Sequence, residues 1–148
     1  MPTLVLDSSV VTKWFLPEDY SAEARLIFEL YRAGEWTLLS PDLMYAEVSN
    51  VLWKYQRKDK ISASEAERVL EALIGLEIEA FPSSLLLEHA HELAVRFDRS
   101  LYDSLYLALS QRTSSPFVTA DEKLFNAVRA HVEGIHWLGS LDLDSLRR

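Results

Sequence analysis

The chain contains no cysteine, which excludes a disulfide framework and any thiolate metal centre and makes the cytoplasm the default expected setting. Glycine is scarce as well: there are four residues and no cluster, so no Gly-rich loop is available to cradle phosphates. No apolar run approaches the roughly 20 residues of a membrane span, and Met1-Pro2-Thr3 does not begin a secretory signal. Fifteen Lys and Arg face twenty-three Asp and Glu, a net charge of -8 that argues against nucleic-acid binding through a broad basic surface. Side-chain amides are confined to Asn50, Gln56, Gln111 and Asn126, a scarcity that goes with thermophilic proteins.

What is present is material for a core. The chain has 148 residues, 49% of them apolar, enough for one well-buried core and too few for two typical domains. A single domain over 1–148 is therefore expected. Thr3-Leu4-Val5-Leu6 reads as a strand that runs into Asp7, with Ser8 and Ser9 placed where a helix would start. Asp7 then stands at the exposed carboxyl end of a strand, the edge where open α/β sheets bind ligands.

Further along, the elements alternate. Val10 to Leu16 predicts a short helix stopped by Pro17. Ser21 to Ala33 predicts an amphipathic helix with Ala24, Ile27, Phe28 and Tyr31 on one face and Gly34 as its stop. Trp36 to Leu39 is a strand candidate, and Ser40-Pro41 reads as the N-cap and first residue of a long helix to about Gln56. Ser62 and Glu65 form a capping-box pattern ahead of a helical stripe. Glu77 to Phe81 alternates like a strand, and Ser83 or Ser84 would cap a helix reaching Phe97. After a break at Asp98-Arg99-Ser100, Leu105 to Leu109 is apolar on every side, the mark of a helix buried within the fold. Pro116 to Thr119 predicts a strand leading to Asp121, Leu124 to Val132 a helix, and Ile135 to Leu138 a last strand. The expected class is α/β: a mainly parallel sheet of four or five short strands with helices on both faces.

Four acids stand out, and each has a plain alternative. Asp7 and Asp121 are placed to be helix N-caps, and Asp103 to complete a capping box with Ser100. Glu47 is harder to explain that way, because one helical turn puts it beside Leu43 and Val51 on an apolar stripe. A buried carboxylate costs several kcal/mol unless it is paired or coordinated. If the four converge, a divalent cation is the natural partner, and with oxygen ligands alone the hard ions Mg²⁺ or Mn²⁺ fit. His89 and His91, two residues apart, do not share a helix face and make no zinc pair.

The blocks Leu6 to Glu18, Pro41 to Trp53 with Glu47, Leu101 to Ala108 with Asp103, and Phe117 to Asp121 occur in an order that resembles the PIN-domain family, and more narrowly the VapC toxins of prokaryotic toxin–antitoxin pairs. The likeness covers nearly the whole chain, and no acid of the family pattern is missing. It implies a PIN-like fold and a Mg²⁺- or Mn²⁺-dependent endoribonuclease that hydrolyses RNA with metal-activated water, its metal-binding and catalytic acids falling on Asp7, Glu47, Asp103 and Asp121. It also implies supporting hydroxyls at Ser8 or Ser9 and Thr119, a cognate antitoxin and a homodimer. Lys13 and Lys123, near the first and last acids, are the cations placed for RNA phosphates. A housekeeping RNA-processing nuclease and a non-catalytic module that binds antitoxin and DNA remain the alternatives. A haloacid dehalogenase-type phosphatase would need a second Asp where Ser9 stands, and a phosphoacceptor receiver an acidic pair that is absent.

Overall fold

The structure, a computed structural model, describes residues 2–146. Its centre is a five-stranded sheet in the order β3-β2-β1-β4-β5, parallel throughout. The strands are β1 (Thr3–Leu6), β2 (Thr37–Pro41), β3 (Glu79–Phe81), β4 (Phe117–Thr119) and β5 (Ile135–Trp137). Eight helices flank it among the described residues: α1 (Ser8–Phe15), α2 (Ser21–Arg32), α3 (Leu43–Arg57), α4 (Ala63–Ile74), α5 (Leu87–Phe97), α6 (Leu101–Thr113), α7 (Glu122–Val128) and α8 (Leu143–Leu146).

The strand order explains where a site forms. From β1 the chain steps outward through β2 to β3, then crosses back to β4 on the other side of β1. With right-handed crossovers, that reversal sends the helices of the two halves to opposite faces. A crevice opens at the carboxyl ends of β1 and β4, the topological switch point. Leu4, Val5 and Leu6 are all buried because both sheet faces are covered, and Phe117 and Val118 beside them are fully enclosed.

Helix α6 is the central packing element. Ser104 through Ser110 are all buried, so the helix has no wet face over that length. It packs on β1, β2 and β4 and against α5. It also leads directly into the start of β4, so it runs against the strands and its first turn lies at their carboxyl edge.

Local signals match in several places. Ser62 and Glu65 form the reciprocal capping box of α4. Gly34, at φ +77°, follows the end of α2 in the left-handed region that favours glycine. Elsewhere tertiary pairing overrides them. Ser40 and Pro41 are not a helix start but the end of β2, in register with Ala80 and Phe81, and α3 begins at Leu43. Proline is tolerated there because the ladder bond is carried by the next residue, Asp42, whose N–H donates to Phe81. Ser83 does not cap α5: it donates to the Asp42 carboxylate within a 3₁₀ turn, Ser83–Leu85, and α5 starts at Leu87. Helix α1 starts earlier than Val10, at Ser8 on the Asp7 cap, and α7 ends at Val128 rather than Val132.

Candidate active site

Asp7 is the residue immediately beyond β1, and it caps α1. It is 6% exposed. Thr119 Oγ1 at the end of β4 donates to its Oδ2 at 2.7 Å, while Oδ1 faces the Ser8 hydroxyl at 3.3 Å and the Ser9 N–H at 3.5 Å. Burial raises the Asp7 pKa despite these donors, Thr119 foremost. The expectation of an exposed Asp7 is thus corrected. Pairing of β1 with β4 brings Thr119 over the carboxylate, and the most enclosed of the four acids is Asp7, with Glu47, Asp103 and Asp121 half-buried.

Thr119 also links two acids, since its Oγ1 accepts from the Asp121 N–H at 3.0 Å while donating to Asp7. Asp121 is the N-cap of α7, its Oδ1 accepting from the N–H groups of Lys123 at 3.0 Å and Leu124 at 3.2 Å. The cap reading is therefore real, and it uses one carboxylate oxygen. Ser9 Oγ accepts from the Ala120 N–H at 3.1 Å, tying the turn after β4 to the first turn of α1.

Glu47 lies in the second turn of α3, where its Oε1 accepts a 2.6 Å hydrogen bond from the Tyr106 hydroxyl. Burial pushes its pKa up, the Tyr106 bond opposes that, and the charge of Asp7 adds to the rise. Asp103 is in the first turn of α6, where Ser100 Oγ, the N-cap, accepts its N–H at 3.1 Å. Its carboxyl is pushed up to about 6, first by burial, then by the fields of Asp7 and Asp121, with Ser100 opposing and Glu47 adding. The four acids thus act on one another electrostatically. No ion pair among the described residues involves any of them.

Lys13 is buried and its Nζ is committed to Glu18 at 3.2 Å, and Tyr55 donates to the other oxygen of Glu18 at 3.0 Å. Lys123 is exposed beside the Asp121 cap. The sequence signals drew no attention to Tyr106. Its position three residues after Asp103 places it one turn along the same helix face, and a phenol in a helix with no wet face needs a polar partner.

Among the described residues no three His, Cys, Asp or Glu side chains stand close enough together to hold a metal ion as they are. Mutual repulsion keeps uncompensated carboxylates apart, and several of their oxygens are turned onto hydroxyl and amide donors. The donor chemistry nevertheless fits a hard divalent cation: four carboxylates, no sulfur or imidazole, and negative charge with no cationic side chain to offset it.

A family model described as "PIN domain" matches residues 4–130. Ribonuclease VapC3 of Pyrobaculum aerophilum is 30% identical over 125 residues, spanning 82% of this chain and 91% of that protein. Ribonuclease VapC1 of Mycobacterium tuberculosis is 35% identical over 86 residues, 57% of this chain and 63% of that protein. In fold, the chain is similar to a crystal structure from Pyrobaculum aerophilum with a TM-score of 0.69 at 20% identity, covering 99% of this chain and 90% of that one. A toxin–antitoxin complex from Klebsiella pneumoniae gives a TM-score of 0.65 at 19% identity, covering 91% and 97%. With its switch-point acids and a family match over most of its length, the chain belongs to the PIN domain family, among relatives named VapC ribonucleases.

Proposed function

We propose that this protein is a divalent-metal-dependent endoribonuclease acting as the toxin of a toxin–antitoxin pair, with Asp7, Glu47, Asp103 and Asp121 as its metal-binding and catalytic acids. The observation that carries the reading is the mutual field of these carboxylates at the switch point, strong enough to raise Asp103 to about 6 with no cationic side chain paired to any of them. Such a cluster is costly in a stable fold unless it serves a cation. The relatives named ribonucleases support RNA as substrate, and the structural neighbour solved as a toxin–antitoxin complex supports an antitoxin partner. A homodimer working in the cytoplasm is part of the same reading.

Mg²⁺ or Mn²⁺ bound by these acids would supply Lewis acidity, making water a better nucleophile and offsetting charge on the scissile phosphate. The chain's own residues prepare for that. Thr119 holds Asp7 and the backbone of Asp121 in fixed relation, Ser9 ties α1 to the turn after β4, and Ser100 fixes the first turn of α6 below Asp103. Lys123, exposed next to Asp121, is the cation placed to meet an RNA phosphate, whereas Lys13 is held by Glu18 and would have to leave it to do so.

The test is cleavage of a labelled single-stranded RNA by purified protein in Mn²⁺, in EDTA, and with Asp7→Asn. Cleavage in Mn²⁺ that EDTA abolishes and that falls at least about a hundredfold in the variant is expected, on the scale that removal of a key electrostatic group costs. Wild-type rates from Asp7→Asn would leave that aspartate a helix cap and nothing more.

A further inference from the structure

Tyr106 is 1% exposed in the middle of α6. Its ring lies nearly parallel to that of Phe117 in β4, with centroids 5.9 Å apart and planes 13° apart, so the phenol has little freedom to swing. Its hydroxyl reaches Glu47 Oε1 at 2.6 Å, across 59 positions of sequence. A phenol is protonated at neutral pH, so it donates, and the donated hydrogen bond occupies Oε1. Glu47 is left with Oε2 as its unencumbered oxygen.

Resting on the metal-dependent reading above, we propose that Tyr106 is a positioning residue that restricts Glu47 to one-oxygen ligation and thereby tilts the site toward Mg²⁺ or Mn²⁺ over Ca²⁺. The physical basis is coordination number. Ca²⁺ gathers about six to eight oxygens and readily takes both oxygens of one carboxylate, whereas Mg²⁺ holds to a tight octahedron with one oxygen from each. The same restriction recurs at two other acids: Asp121 Oδ1 is committed to its helix cap, and Asp7 Oδ2 to Thr119. A site short of free carboxylate oxygens suits the smaller, six-coordinate ion. Of these bonds, the one from Tyr106 can be deleted with almost no change of shape, because phenylalanine keeps the ring on Phe117.

The experiment is titration calorimetry of metal-free protein with Mn²⁺ and with Ca²⁺, without RNA, on wild type, Tyr106→Phe, Glu47→Gln and the double variant. Wild type should bind Mn²⁺ more tightly than Ca²⁺. In Tyr106→Phe the ratio of the two dissociation constants should move toward Ca²⁺ by about tenfold, at the lower end of what loss of a ligand's hydrogen-bonding partner costs a metal site. With Glu47→Gln already present, the tyrosine change should have no further effect on the ratio, as expected if Tyr106 acts through Glu47. If both affinities fall equally in Tyr106→Phe, or neither changes, the selectivity role is overturned while the metal site stands. Wild type that binds neither ion would overturn the metal reading itself. Should Tyr106→Phe fail to fold by circular dichroism, Glu47→Asp decides the question: it withdraws the carboxylate from the phenol and should shift the ratio the same way, and an unchanged ratio would reject the proposal.

Discussion

Asp7 shows how a single residue can serve the fold and strain it together. It caps α1 and accepts from Thr119, yet its charge is enclosed and its pKa is raised by that burial. Asp7→Asn should therefore leave the urea midpoint in EDTA the same or higher, since removing a buried charge offsets the weaker hydrogen bond. Thr119→Val takes away the donor and leaves the charge, so it should cost about 1–3 kcal/mol in the same measurement. Asp103 carries a pH signature. Its folded pKa of about 6 lies above the ordinary 3.8, so the folded state binds the proton more tightly than the unfolded chain. The associated stability is fully present below the unfolded value and is lost as pH rises through about 6. Metal-free protein should melt at higher temperature at pH 5 than at pH 7. Asp103→Asn should flatten that slope without removing it, because Asp7 and Glu47 are shifted in the same direction.

At the scale of elements, local pattern was readable wherever it did not compete with sheet pairing. The Ser62–Glu65 box was legible because both partners lie within one turn, and Ser62→Ala should lower stability by about 1 kcal/mol in chemical denaturation. Leu105 to Leu109 was legible as a buried helix because an all-apolar circumference leaves no face for water. Leu107, fully buried there, should cost about 2–5 kcal/mol when cut to alanine, also read from denaturant midpoints. Ser40-Pro41 misled for a physical reason. The pair is good N-terminal helix chemistry, but β3 lies alongside and takes these residues into the ladder, an interaction between segments about forty positions apart that no local rule contains. Ser83 was diverted in the same way, by Asp42 at the end of that ladder.

For the whole molecule, the switch point converts four acids scattered from position 7 to position 121 into one electrostatic unit. An ion that binds only the folded state stabilises it by mass action, by about 2.7 kcal/mol at a hundred times its dissociation constant. Thermal melts in saturating Mn²⁺ should therefore rise over those in EDTA, and Asp7→Asn should lose most of that rise. The sequence by itself determined the α/β class, the strand that delivers Asp7, the buried character of α6 and which acids were candidates, because hydrophobic period, helix caps and an out-of-place carboxylate such as Glu47 are properties of neighbouring residues. Only the tertiary structure decided that Asp7 is the enclosed acid, that Thr119 couples it to Asp121, that Lys13 is held by Glu18, and that Tyr106 reaches Glu47. Burial and hydrogen bonds between distant residues come into being when β1 and β4 pair and α6 packs across them, and no local pattern in the sequence encodes a partner 59 or 112 positions away.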